Sequence, residues 1–185
     1  MKRNDLVSMA LGDYIVHFDD DDYYSPSYVS HHIRAMIDHN ADCVKLSGFF
    51  IYDSLVRKLF YWDQRHAAGT HFVCKRTQPR RILEVSHEDD EDFARFRLGY
   101  GFSFAYKRSA WHCIKFPDVS FCEDLYFMTE AAKTKSILLL PDNVGICVHF
   151  IHCTNMSGCF PQYMIPPFIL RVLFPDLTTE VDAGG

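Results

Sequence analysis

A chain of 185 residues that is 48% hydrophobic and 15% aromatic can bury one substantial core, which excludes a disordered chain. Its net charge of −5 and the lack of a basic stripe argue against nucleic-acid binding, and the short pairs Lys75-Arg76 and Arg80-Arg81 read as solvated loop or strand-end charges. Seven scattered cysteines, odd in number and without a CxxC, suit a reducing compartment better than a disulfide framework.

The residues from Met1 to Asp5 carry no apolar run of a secretory signal, so the expectation is a cytoplasmic protein, at most peripheral to a membrane. Residues 14–18 read as a short buried strand running into four aspartates, Asp19 to Asp22. Ser25 as cap and Pro26 at the first helical position then predict a helix, with Val29, Ile33, Met36 and Ile37 inward and His31, His32, Arg34 and Asp38 mostly wet. Residues 42–52, 59–62 and 71–74 have strand composition. A second acidic run, residues 86–92, is expected to open a helix through Phe93, Phe96 and Leu98, its acids complementing the helix dipole.

Further along, residues 102–107 predict a strand and 121–132 a helix burying Leu125, Phe127 or Met128, and Ala131 with Ala132. Two strands, 136–140 and 144–151, follow around the turn at Pro141, Asp142 and Asn143. The most apolar stretch, 160–174, is broken by Pro161, Pro166, Pro167 and Arg171 and cannot span a bilayer. Helices between strands point to an α/β domain over residues 1–160 with an apolar, proline-containing tail over 161–185.

The four aspartates carry the chemistry. Adjacent carboxylates repel one another, and more so where the end of a buried strand partly excludes water. Hard divalent cations take oxygen ligands, and ligands of open α/β sheets lie beyond the carboxyl ends of strands. A solvated acidic turn is the competing reading, and the position of the run favours a metal or metal-nucleotide site.

Three pieces in order, GDYIVHFDDDDYYSP (12–26), FCEDLYF (121–127) and VHFIHCTNMS (148–157), together resemble the family 2 glycosyltransferases of GT-A fold. Lys2-Arg3-Asn4 followed by Ala10 and Gly12 is similar to the segment that precedes the acidic motif in that family. The resemblance implies an α/β, GT-A-like (Rossmann-like) nucleotide-sugar transferase fold lacking its N-terminal βαβ units, so a central parallel sheet with exposed edges is expected. A missing N-terminal segment or a partner chain would then supply the rest.

By the same resemblance, Asp19 contacts the ribose of a nucleotide-sugar donor, Asp21 ligates Mn2+ or Mg2+, and Asp20 shares either task. Arg3 falls on the donor side, and Asp22 is read as a cap for the turn that follows. Asp124 matches the base that activates an acceptor hydroxyl, carbohydrate or other, while Glu123 orients it, giving a single displacement with inversion. Taken alone, Glu123 and Asp124 would be first-turn acids of a helix.

His152 matches a late histidine near the metal and diphosphate, against the reading of an ordinary strand-end histidine. Cys147, His149, His152, Cys153 and Cys159 fit no standard zinc spacing. Trp62 and the aromatics of residues 99–104 are core residues first and an acceptor wall second. Two other functions compete: an inactive, truncated remnant or scaffold, and another metal-phosphate enzyme such as a nucleotidyltransferase.

Overall fold

The computed structural model describes residues 2–75, 81–89, 93, 95–153, 155, 157–166, 168–175 and 177. In chain order, helix α1 (Lys2–Met9) leads into strand β1 (Tyr14–Val16), the acidic turn, β2 (Tyr23–Tyr24) and α2 (Tyr28–Asp38). Strands β3 (Cys43–Asp53) and β4 (Lys58–Asp63) form a hairpin, as do β5 (Gly69–Val73) and β6 (Arg81–Val85) in a separate sheet. β7 (Phe104–Lys107), α3 (Arg108–Cys113), α4 (Glu123–Ala131), β8 (Ile137–Pro141), β9 (Cys147–Ile151), β10 (Tyr163–Ile165) and α5 (Phe168–Leu173) complete the described elements.

β3 organises the molecule. All eleven of its residues are buried, as expected of a strand covered on both faces. At its start β3 is flanked by β7, antiparallel with Cys43 opposite Tyr106, and by β8, parallel with Cys43 opposite Ile137. At its end it is flanked by β4 and by β9, the latter parallel with Phe50 opposite Val148. β1 lies antiparallel beside β7 at the end of the strand order. The expected parallel sheet is thus corrected to a mixed one dominated by antiparallel pairs. The tight link from β3 to β4 makes antiparallel neighbours, whereas β8 reaches β3 in parallel by a crossover through α4.

Local chemistry moved several boundaries. β1 stops at Val16, although the His17 N–H still reaches Phe104 O at 3.1 Å, and Phe18 is exposed. α2 begins at Tyr28, two residues beyond Pro26, and the Ser27 hydroxyl at its N-cap pairs with Ser25 Oγ at 2.9 Å instead of capping the helix. Its inward stripe is Tyr28, His32 and Met36, so His32 is buried rather than wet, while Val29 and Ile37 are exposed. The Tyr28 hydroxyl fixes that rotation by donating to Phe102 O at 2.9 Å, and His32 packs 4.4 Å from the Tyr28 ring. Within the region expected as a helix over 86–98, residues 87–89 and 95–98 form 3-10 turns, and Asp90, Glu91 and Asp92 lie outside the described residues. Arg76, Arg80, Thr154, Met156 and Pro167 lie outside them as well.

One core cluster gathers Tyr28, Phe49, Trp62 and Phe102 under the sheet's centre, and a second packs Phe104, Tyr106, Trp111 and Phe116 against Phe127 of α4. Burying each such aromatic contributes roughly 1.5–3 kcal/mol. Trp62 is a core residue, only 1% exposed. β10 pairs with β4, Tyr163 opposite Tyr61, and Leu170 and Phe174 at the chain's apolar end pack with Phe50, Tyr52 and Leu59. Among the described residues no helix is long and apolar enough to cross a membrane.

Candidate active site

The acidic turn is built where β1 ends. The Asp19 N–H donates to the Tyr24 hydroxyl at 2.8 Å, and that hydroxyl donates to Phe102 O at 3.3 Å. Carboxylate oxygens of Asp19, Asp21 and Asp22 converge within 4.8 Å of one another, while Asp20 points to solvent as an exposed residue outside this group. Burial pushes the Asp19 carboxyl up; Arg3 opposes the shift, and Asp22 and Asp21 add to it.

Asp22, expected to cap the following turn, is instead tied to β9. Its enclosed carboxylate accepts from His149 Nδ1 at 2.8 Å and from the Phe150 N–H at 2.9 Å. The His149 ring stacks on Phe102 at 4.6 Å and 5°. Burial alone would lower the His149 pKa, but the Asp22 carboxylate outweighs it and holds the imidazole well above the usual histidine value. Three residues on, His152 Nε2 donates to Asp21 Oδ2 at 2.9 Å. Asn155 steadies that segment, accepting from the His152 N–H and donating to Phe150 O at 3.1 Å. The His149–Asp22 pair was not anticipated as part of a site. No local pattern signals it, since Cys147, Val148 and His149 are all buried in β9 and Asp22 is distant in sequence.

The facing wall comes from α4. Cys122, in left-handed conformation at φ 63, turns the chain into the helix, so Glu123 and Asp124 fall in its first turn. Asp124 Oδ2 accepts from the Gly101 N–H at 2.6 Å and Oδ1 from the Leu125 N–H at 2.8 Å. Glu123 Oε1 accepts from Arg3 Nε at 3.0 Å, and Arg3 Nη1 donates to His17 Nδ1 at 2.5 Å. Burial, reinforced by the Arg3 charge, lowers the His17 pKa to about 3.

A cavity of about 640 Å³ is lined by Asp19, Gly101, Asp124, His149 and Asn155, with Tyr100 and Phe102 among its aromatics. A second, of about 780 Å³, lies against β1 between Leu6, Ile15, Phe116 and Val119. Arg3, Asp19 and Glu123 line both. The acidic turn and the first turn of α4 therefore face one cleft, although 105 residues separate Asp19 from Asp124.

This donor set fits a hard divalent cation. All three converging ligand groups are carboxylates, and a cation among them would offset their mutual repulsion. Because Asp22 is occupied by His149 and Phe150, Asp19 and the half-exposed Asp21 are the carboxylates best able to bind it. Among the described residues, no second convergence of cysteine, histidine and acidic groups forms a zinc-like site.

Comparison with known proteins adds three findings. The crystal structure of S. aureus TarS 1-349 resembles this chain with a TM-score of 0.51 at 17% sequence identity, over 80% of this chain and 39% of that one. The chain thus spans about two fifths of that structure. No curated protein matches it. The family model for glycosyl transferase family 2 matches residues 2–113, a stretch that includes α1, the acidic turn and the central strand but stops short of α4 and β9. That match covers well over half the chain and agrees with the GT-A-like architecture, and on it the chain belongs to glycosyl transferase family 2.

Proposed function

We propose that this domain transfers a sugar from a nucleoside-diphosphate donor to an acceptor hydroxyl, with a divalent cation and with inversion at the anomeric carbon. The observation that carries the reading is that Asp19, of the converging carboxylates, and Asp124, on α4, line one cavity. Asp124 is the base: with the Gly101 and Leu125 N–H groups fixing its orientation, it accepts the acceptor's proton as the oxygen attacks. Glu123, clamped by Arg3, holds the first turn of α4 in place. The bond to the diphosphate breaks on the opposite face of the sugar, so one displacement inverts the centre.

Asp19 and Asp21 would hold Mn2+ or Mg2+, with His152 beside Asp21. The cation's contribution is to neutralise charge on the departing diphosphate. The donor lies across the junction of the two cavities, where Arg3 offers the positive charge.

Thermal melts with manganese and a panel of nucleotide-sugars test this. A donor-dependent rise in melting temperature is expected, lost in Asp21→Ala. Asp124→Asn should keep the rise but lose transfer by about 10²–10⁴-fold. A folded chain that no donor stabilises would overturn the transferase reading in favour of an inactive scaffold.

A further inference from the structure

Arg3, Asp19, Ser120 and Glu123 line both cavities, and Arg3 is the cation among them. An arginine side chain has donors and no acceptor, so His17 Nδ1, 2.5 Å from Arg3 Nη1, must be the accepting atom. The ring proton then sits on Nε2, which donates to the Tyr106 hydroxyl at 3.1 Å. Aromatic neighbours hold the imidazole in that orientation: Phe104 at 4.7 Å, Tyr106 at 5.5 Å and Phe116 at 5.8 Å between ring centroids. The Arg3 guanidinium itself lies 5.9 Å over the Phe116 ring. With Nη1 committed to His17 and Nε to Glu123, the remaining nitrogen, Nη2, stands beside Gly101, 3.0 Å from where a Cβ would be. The guanidinium is thereby set at the wall between the cavities in a single orientation.

We propose that His17 is a positioning residue for the donor's diphosphate, aiming Arg3 so that its guanidinium meets an anion beside Asp19 while remaining clamped on Glu123. The diphosphate half rests on the transferase reading above; the pairing of His17 with Arg3 rests on hydrogen-bond geometry alone. A hydrogen bond to a charged group is lost when His17 becomes Phe, and the packing is kept. His17→Asn retains a side-chain oxygen able to accept from Arg3.

Two measurements on the full chain test the proposal. In ¹⁵N NMR of the wild type, the His17 ring should be neutral with its hydrogen on Nε2; a hydrogen on Nδ1 would overturn the pairing. By calorimetry with inorganic pyrophosphate and equimolar magnesium, His17→Phe should bind about tenfold more weakly than wild type, and His17→Asn should stay within about threefold of wild type. Equal affinity in His17→Phe and wild type would overturn the positioning role while leaving the transferase reading intact. Equal losses in His17→Phe and His17→Asn would overturn it too, by assigning the effect to the Nε2 bond with Tyr106 rather than to the bond with Arg3. A wild type with the expected ring tautomer that binds no magnesium pyrophosphate would overturn the diphosphate half together with the transferase reading, and leave the pairing standing.

Discussion

A missing side chain makes the cleft possible at Gly101. A Cβ there would stand 3.0 Å from both Arg3 Nη2 and the Asp124 Cβ. The guanidinium is tied to His17 and Glu123, and Asp124 is held by the first turn of α4 and by the Gly101 N–H itself. Gly101→Ala should therefore displace the carboxylate rather than be absorbed, at a stability cost of about 1–3 kcal/mol. Transfer should fall further than the melting temperature suggests, and comparing the two on one preparation checks it.

His149 makes a complementary case at the same scale. Replacing it by Phe keeps an aromatic ring against Phe102 but strands the fully enclosed Asp22 carboxylate. Breaking a buried pair in this way costs about 3–5 kcal/mol. Adding Asp22→Asn to that variant should return part of the loss, because the stranded charge is gone. Denaturant unfolding of the two variants measures the difference, and no recovery in the double variant would show that the ring, rather than the charge pair, carries the energy.

Among the elements, β3 is the most constrained. Its pairing with β8 shifts between Leu46 and Gly48, where the Gly48 carbonyl accepts from the Asp142 N–H at 2.8 Å. The Tyr61 hydroxyl occupies the place where a Gly48 side chain would start. Gly48→Ala should cost about 1–3 kcal/mol by pushing Tyr61 out of register with Phe50, measurable as a lower denaturation midpoint.

β3, β4 and β7 were legible because their apolar runs are long and bounded by turn residues, and α4 because its apolar spacing is helical. α2 was misread at its core face. Tyr28 and His32 score as polar, yet the Tyr28 hydroxyl spends its polarity on Phe102 O and lets the ring go inward. The acidic turn announced itself by crowding four like charges at a strand end. His149 did not, since its partner Asp22 lies 127 residues away and pairing at that distance leaves no local pattern. The sheet's antiparallel character was also beyond reach, because strand composition does not encode direction.

Over the whole molecule, two buried cations set opposite pH dependences. Lys45, fully enclosed in β3, donates to Leu46 O at 2.5 Å and Gln64 Oε1 at 2.8 Å. Burial lowers its pKa from 10.5 to about 7. Above pH 7 the folded chain has released a proton that the unfolded chain still holds, so this group makes stability rise with pH up to the unfolded value. His149 acts in reverse. Its folded pKa is raised well above 6.5, so the unfolded chain loses the proton first and stability falls as pH climbs. Each group contributes at most about 1.4 kcal/mol per pH unit, and within the Lys45 window, pH 7 to 10.5, any proton that His149 still holds in the folded chain opposes the rise. At higher pH the buried thiol of Cys43, raised to about 12, adds a further fall. Lys45→Met should unmask the His149 slope: above pH 7 the variant's unfolding free energy should fall relative to that of the wild type as pH rises. Denaturant melts at half-unit pH steps give both curves, and parallel curves would mean that Lys45 keeps its proton throughout.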